Sequence, residues 1–164
     1  MVHSLRTAIA AVTSLLAARL FHLPQSYWAP ITTLVITQSS LGAALTVSGQ
    51  RFVGTLLGAL LGGIVATYFG SSVVLFGICV FLLGLICACI RVDRAAYRFS
   101  GITVALVLLI PRAGTGTAWQ VAFHRFAEVS IGIVVALIFA WVWPEMEPPA
   151  SGEQAPAIPE KSSG

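Results

Sequence analysis

The chain has 164 residues, 57% of them hydrophobic and only 9% charged, where a soluble domain carries about 25% charged residues. So few charges cannot cover a solvated surface, which excludes an ordinary soluble domain and makes the bilayer the expected solvent. The net charge of +3 is spread along the chain rather than blocked, which argues against a nucleic-acid surface, and one compact domain is expected at this length.

A spanning helix needs about 20 mostly apolar residues, and six candidates follow in order. The first covers residues 4–23. Arg6 ahead of the apolar run 7–18 imitates a signal peptide, but Arg19 interrupts the run and no convincing cleavage site follows, so it is read as a retained helix. The second opens at Tyr27-Trp28, an interfacial aromatic pair. It is apolar only to Thr37, because Gln38, Ser39, Ser40 and Gly42 come next. Pro30 lacks a backbone donor and reads as a helix break. A broken helix exposes dipole ends that attract ions. Thr32, Thr33, Thr37 and Gln38 add uncharged hydrogen-bonding groups that suit a polar path or bonds between helices.

The third candidate, residues 50–69, is headed by Arg51 and carries Gly54, Gly58 and Gly62 at intervals of four. That spacing puts the glycines on one face, where small residues let helix backbones approach in lipid. Arg51 shares the face and therefore points inward. Its structural role would be a snorkelling anchor; its functional role would follow from the rule that charge within a membrane marks a site.

The fourth candidate, residues 72–90, holds Cys79, Cys87 and Cys89, whose spacing fits neither zinc nor a redox pair and reads as buried apolar thiols. The fifth, residues 99–110, is stopped by Pro111, a second helix break. The sixth, residues 119–143, is stopped by Pro144. Within it His124, Arg125 and Glu128 can meet on one surface, as an ion pair or as a proton-responsive group. Gly132, Ala136 and Ala140 repeat the small-residue face.

Arg91, Arg94 and Arg98 cluster before the fifth helix, and Arg51 heads the third. Placing both loops inside puts both termini in the cytoplasm. The segment 145–164, rich in Pro, Glu, Ser and Gly, reads as a disordered cytoplasmic tail. No phosphate-binding loop, metal-ligand cluster or nucleophile elbow is present, so no cofactor, no metal and no enzymatic activity are expected.

An offset of 74 residues carries Arg51-Phe52 onto Arg125-Phe126 and Gly58 onto Gly132, and an offset of 71 carries Ile31-Thr32 onto Ile102-Thr103. A repeat of three helices inverts its second copy, an arrangement recurrent in transporters with sites near the midplane. The expected fold is therefore an all-α polytopic membrane protein. Its six transmembrane helices fill residues 1–144 as a 3+3 inverted repeat with halves 1–70 and 71–144.

Trp28-Ala29-Pro30-Ile31-Thr32, then Gln38-Ser39-Ser40-Leu41-Gly42, then Gln50-Arg51-Phe52-Val53-Gly54-Thr55 with Gly58, and finally Arg125, Glu128, Gly132 and Trp143-Pro144 resemble the fusaric acid resistance family. That group includes bacterial aromatic acid exporters and is related to the plant aluminium-activated malate transporters. The resemblance implies a six-helix inner-membrane module that moves organic anions, often aromatic carboxylates. Larger relatives carry two such modules, so a lone module implies self-association, most simply a homodimer. A carboxylate needs a desolvated cationic partner, and the arginine fork supplies one. Arg51 and Arg125 are the expected anion ligands, with Gln38 and Thr33 as polar neighbours and His124 and Glu128 as proton-coupling groups. The alternative is a non-transporting membrane scaffold that needs a partner.

Overall fold

In lipid every backbone donor and acceptor must be satisfied within its own segment, so uncharged apolar runs become helices. The computed structural model describes residues 2–37, 40–109 and 117–143. Among these it places six helices: α1 Val2–Leu20, α2 Trp28–Thr37, α3 Leu41–Tyr68, α4 Val73–Cys89, α5 Arg94–Leu109 and α6 Ala118–Val142. Gln38, Pro111 and the segment 145–164 lie outside the described residues.

Local chemistry sets several of the boundaries. Thr117 caps α6 through a reciprocal box: the Gln120 N–H donates to Thr117 Oγ1 at 3.3 Å, and the Thr117 N–H to Gln120 Oε1 at 2.9 Å. Ser72 caps α4 by accepting from the Val74 N–H. The helices α1 and α4 end alike. His22 (φ 54°) and Arg91 (φ 53°) are left-handed residues just past the two termini. The next N–H then reaches back six residues inclusive, Leu23 to the Ala18 carbonyl at 3.2 Å and Val92 to the Cys87 carbonyl at 3.0 Å.

Three expectations about helix ends are corrected. The fifth helix starts at Arg94, not residue 99, which takes Arg94 and Arg98 out of the preceding loop and into the helix. The third helix starts at Leu41, not Gln50, with Ser40 at its N-cap position. Gly42 and Gly49 have open space at their missing Cβ and are carried inside the helix. Arg51 therefore stands well within a 28-residue helix rather than at its end. Pro30 lies in the first turn of α2, where the missing N–H has no intrahelical partner to lose, so it does not interrupt that helix.

Among the described residues, only α3 and α6 are both long and apolar enough to cross a membrane by themselves, and they pack against each other. They run antiparallel: Ala44 of α3 clusters with Ala136 and Ala140 of α6, while a Cβ at Gly63 would lie 2.8 Å from the Trp119 ring at the start of α6. Between these contacts the rings of Phe52 and Phe126 lie 5.1 Å apart.

Each long helix has a parallel companion. Gly54, Gly58 and Gly62 face residues 96–99, 100–103 and 104–107 of α5 in step. On α6, Gly132 faces Ala29 and Thr32 of α2. A Cβ at Gly58 would run into the Ser100 carbonyl oxygen and sit 2.8 Å from the Thr103 Cβ; one at Gly132 would sit 2.6 Å from the Ala29 carbonyl oxygen and 2.7 Å from the Thr32 Cβ. The outer helix α1 packs on α2 and α6, and α4 on α5 and α3.

The exterior is largely apolar, and polar and charged side chains are buried within an otherwise apolar core. Arg6, Ser14, Thr32, Thr33, Thr37, Arg125 and Glu128 are buried, while Leu5, Leu16, Val73, Phe81, Ile138 and Trp141 are exposed. Water would penalise that arrangement and a hydrocarbon solvent favours it. Cys79 and Cys87 are buried as expected, but Cys89 faces outward.

Candidate functional site

Arg51 and Arg125 each stand one residue before a member of the Phe52–Phe126 pair, at the level where α3 and α6 meet. The small-residue faces that admit α5 and α2 also carry the arginines, so both guanidiniums are driven into a helix contact rather than out to lipid. Each finds an aromatic face there. Arg51 lies over Phe99 of α5 at 4.9 Å, and Arg125 over Trp28 of α2 at 4.4 Å.

Their polar surroundings differ. Arg125 is 2% exposed and sits 3.5 Å from Glu128, one turn further along α6. Its guanidinium donates to the Gln25 side-chain oxygen. Glu128, 1% exposed, accepts from the Gln25 backbone N–H at 3.0 Å. Gln25 thus clamps the pair from the turn before α2. Pro24, Gln25, Val121, His124, Arg125 and Glu128 enclose a cavity of about 40 Å³, room for a few waters at most. Arg51 is 8% exposed, its Nε is buried with no hydrogen-bond partner, and it makes no ion pair among the described residues.

The remaining expected site residues fall as follows. Thr33 is fully buried, and its hydroxyl lies 3.1 Å from two carbonyl oxygens it can donate to, Ala29 on its own helix and Gly132 on α6, so it ties α2 to α6. His124 is half-buried and lines the cavity with Glu128. Gly54, Gly58, Gly62 and Gly132 all serve close helix packing.

A profile of the fusaric acid resistance protein-like family matches residues 10–139, a span that includes both arginines, Glu128 and the four packing glycines. The chain belongs to that family. Among curated relatives of this family member, inner membrane protein YeeA of Escherichia coli is 28% identical over 149 residues, 88% of this chain and 41% of its own. Uncharacterized transporter YdhK of Salmonella typhimurium is 28% identical over 87% of this chain and 22% of its own. A Mycobacterium tuberculosis protein provisionally named an arylamide transporter is 26% identical over 82% of this chain and 38% of its own. The chain therefore spans less than half the length of each of these relatives. No solved structure matches it at a significant level. Family membership and the outward-facing apolar side chains agree that this is a membrane protein.

Sequence reasoning missed Gln25, Phe99 and Ser48. Gln25 lies in a turn with no periodic pattern to point at α6. Phe99 had a signal: the offset of 71 that aligns Ile31-Thr32 with Ile102-Thr103 also aligns Trp28 with Phe99, so the ring over one arginine predicts the ring over the other.

Proposed function

We propose that the chain is an inner-membrane module that transports organic anions, aromatic carboxylates foremost, and that buried arginine provides the cationic contact. The observation that carries this reading is a pair of desolvated guanidiniums, each against an aromatic ring, inside a bundle with an apolar exterior. A carboxylate is charged at neutral pH, and an arginine fork in a dry site binds it through two charge-assisted hydrogen bonds. Expelling one negative charge from a cell with a negative interior gains about 2.3 kcal/mol per 100 mV, so export can draw on the membrane potential. A proton gradient is the other available drive, since His124 and Glu128 share a cavity.

The packing supports an inverted repeat of three helices, and Arg91, Arg94 and Arg98 favour six crossings with both termini cytoplasmic. Exchanging α1 with α4, α2 with α5 and α3 with α6 turns the α3–α5 contact into α6–α2, α1–α2 into α4–α5, and α1–α6 into α4–α3, all of which occur. Helix α2, 10 residues and therefore about 15 Å long, covers only half of a hydrocarbon core of about 30 Å. Short helices beside the site are what such transporters use.

Flux of 4-hydroxybenzoate through liposomes that hold only this protein tests the reading. An imposed potential should drive flux, and Arg51→Ala should remove most of it at equal protein content. A second reading is a scaffold that needs a partner, which the close-packed glycine faces also fit. Pure protein without flux would favour it; self-association into a homodimer would reconcile the two.

A further inference from the structure

The two arginine positions correspond, but their neighbours do not. The offset of 74 that carries Arg51 onto Arg125 carries Gly54 onto Glu128. At Gly54 there is no room for a side chain: a Cβ would meet the Ala96 carbonyl and lie 2.9 Å from the Phe99 Cβ. At the matching place in the other half, the turn before α2 leaves space, and the Glu128 carboxylate fills it against the Gln25 N–H. One half of the molecule thus supplies a carboxylate to its own arginine, and the other half supplies none.

The second half keeps unpartnered buried donors of its own, Arg125 Nη1 and Trp28 Nε1, beside its carboxylate; the first half has no carboxylate and adds a hydroxyl. One turn before Arg51, Ser48 is 4% exposed, and its Oγ is buried with no hydrogen-bond partner. Two other hydroxyls on this helix donate to the carbonyl four residues earlier, Thr46 to Gly42 at 3.1 Å and Thr67 to Gly63 at 2.7 Å. Ser48 does not. Residues three apart on a helix are neighbours, so an unused hydroxyl and an unused Nε–H lie on one face of α3, each able to donate. Unsatisfied buried donors each cost free energy, and a ligand that only accepts would relieve both. The position matching Ser48 in the second half is Ala122.

We propose that Arg51 and Ser48 form the exchangeable anion site, and that Glu128 is a built-in carboxylate that keeps Arg125 closed to solutes. This rests on the anion-transport reading and sharpens it to one carboxylate per chain, held on the α5 side of α3. The 40 Å³ left beside Glu128 is too small for an aromatic acid, consistent with a filled position there.

The test is calorimetric titration of the full chain in lipid nanodiscs with 4-hydroxybenzoate, alongside liposome flux. Wild type should bind one anion per chain. Ser48→Ala, a substitution that removes one oxygen from a helix, should weaken binding about tenfold, the worth of a hydrogen bond to a charged group. Arg51→Gln should abolish binding, and Arg51→Lys should leave it weak. Glu128→Gly, which copies the matching Gly54 and removes the side chain that fills the position, should open a second site and raise the stoichiometry to two. Unchanged affinity in Ser48→Ala and Arg51→Gln, or a stoichiometry of one in folded Glu128→Gly, overturns the proposal. If those variants bind as wild type while flux persists, the site assignment fails and the transport reading stands. Wild type with neither binding nor flux removes both.

Discussion

At Gly58 and Gly132 the chain has room for a hydrogen and nothing larger, because a backbone carbonyl of the companion helix occupies the space. Alanine at either position must push helices apart, and overpacking of this kind costs about 1–3 kcal/mol. Gly49, on the same helix as Gly58, has nothing within 4 Å of its missing Cβ. There alanine should be neutral or stabilising by up to about 1 kcal/mol, from propensity alone. Thermal unfolding of the three variants in one detergent compares them directly: Gly58→Ala and Gly132→Ala should melt lower than wild type, and Gly49→Ala should not. Equal losses at all three would mean that glycine serves flexibility rather than contact. Glu128 allows a second prediction at this scale. If the carboxylate that shares its cavity with His124 takes up the coupling proton, Glu128→Gln should flatten the pH dependence of 4-hydroxybenzoate flux. A pH profile unchanged from wild type assigns any coupling elsewhere.

Among the elements, the contact between α3 and α6 has its ring pair at Phe52 and Phe126. Aromatic pairs in such geometry contribute about 0.5–1.5 kcal/mol beyond burial. A double-mutant cycle with Phe52→Ala and Phe126→Ala should therefore return a coupling in that range, measured by unfolding in lipid or mild detergent. Additive losses would mean that the rings touch without coupling. The elements also separate what sequence could and could not tell. The ends of α2, α4 and α6 were legible because an aromatic pair, a proline stop and breaks in the apolar runs mark them. The start of α3 was not, because Gln38, Ser39, Ser40 and Gly42 read as a polar interruption continuing to Gln50. In the structure the helix simply carries Gly42 and Gly49 on open faces. The glycine stripe announced close packing, but a stripe does not name its partner. That α5 fills it, and that α2 fills the matching face of α6, emerges only once both long helices are placed. The clamp by Gln25 was illegible for the same reason, since a backbone N–H over a hundred residues from Glu128 leaves no local pattern.

For the whole molecule, the correspondence between its halves drifts in a regular way. The offset is 69 residues between the ends of α1 and α4, taking His22 to Arg91 and Ala18-Arg19 to Cys87-Ala88. It is 71 between α2 and α5, taking Trp28 to Phe99 and Ala29 to Ser100, and 74 between α3 and α6. Through that drift the ring over each arginine and the glycine at each close helix contact are kept. Two copies with odd numbers of crossings face opposite ways in a bilayer, so the turn after α1 and the turn after α4 should lie on opposite sides. Both turns are exposed at their left-handed residue, which makes them accessible to a label. With Cys79, Cys87 and Cys89 replaced, a single cysteine at His22→Cys should react with a membrane-impermeant maleimide in intact cells. One at Arg91→Cys should react only after the membrane is opened, as its arginine-rich surroundings require of a cytoplasmic loop. Labelling of both from the same side would break the inverted repeat. It would also remove the argument that Arg51 and Arg125 descend from one ancestral position and have since divided their roles.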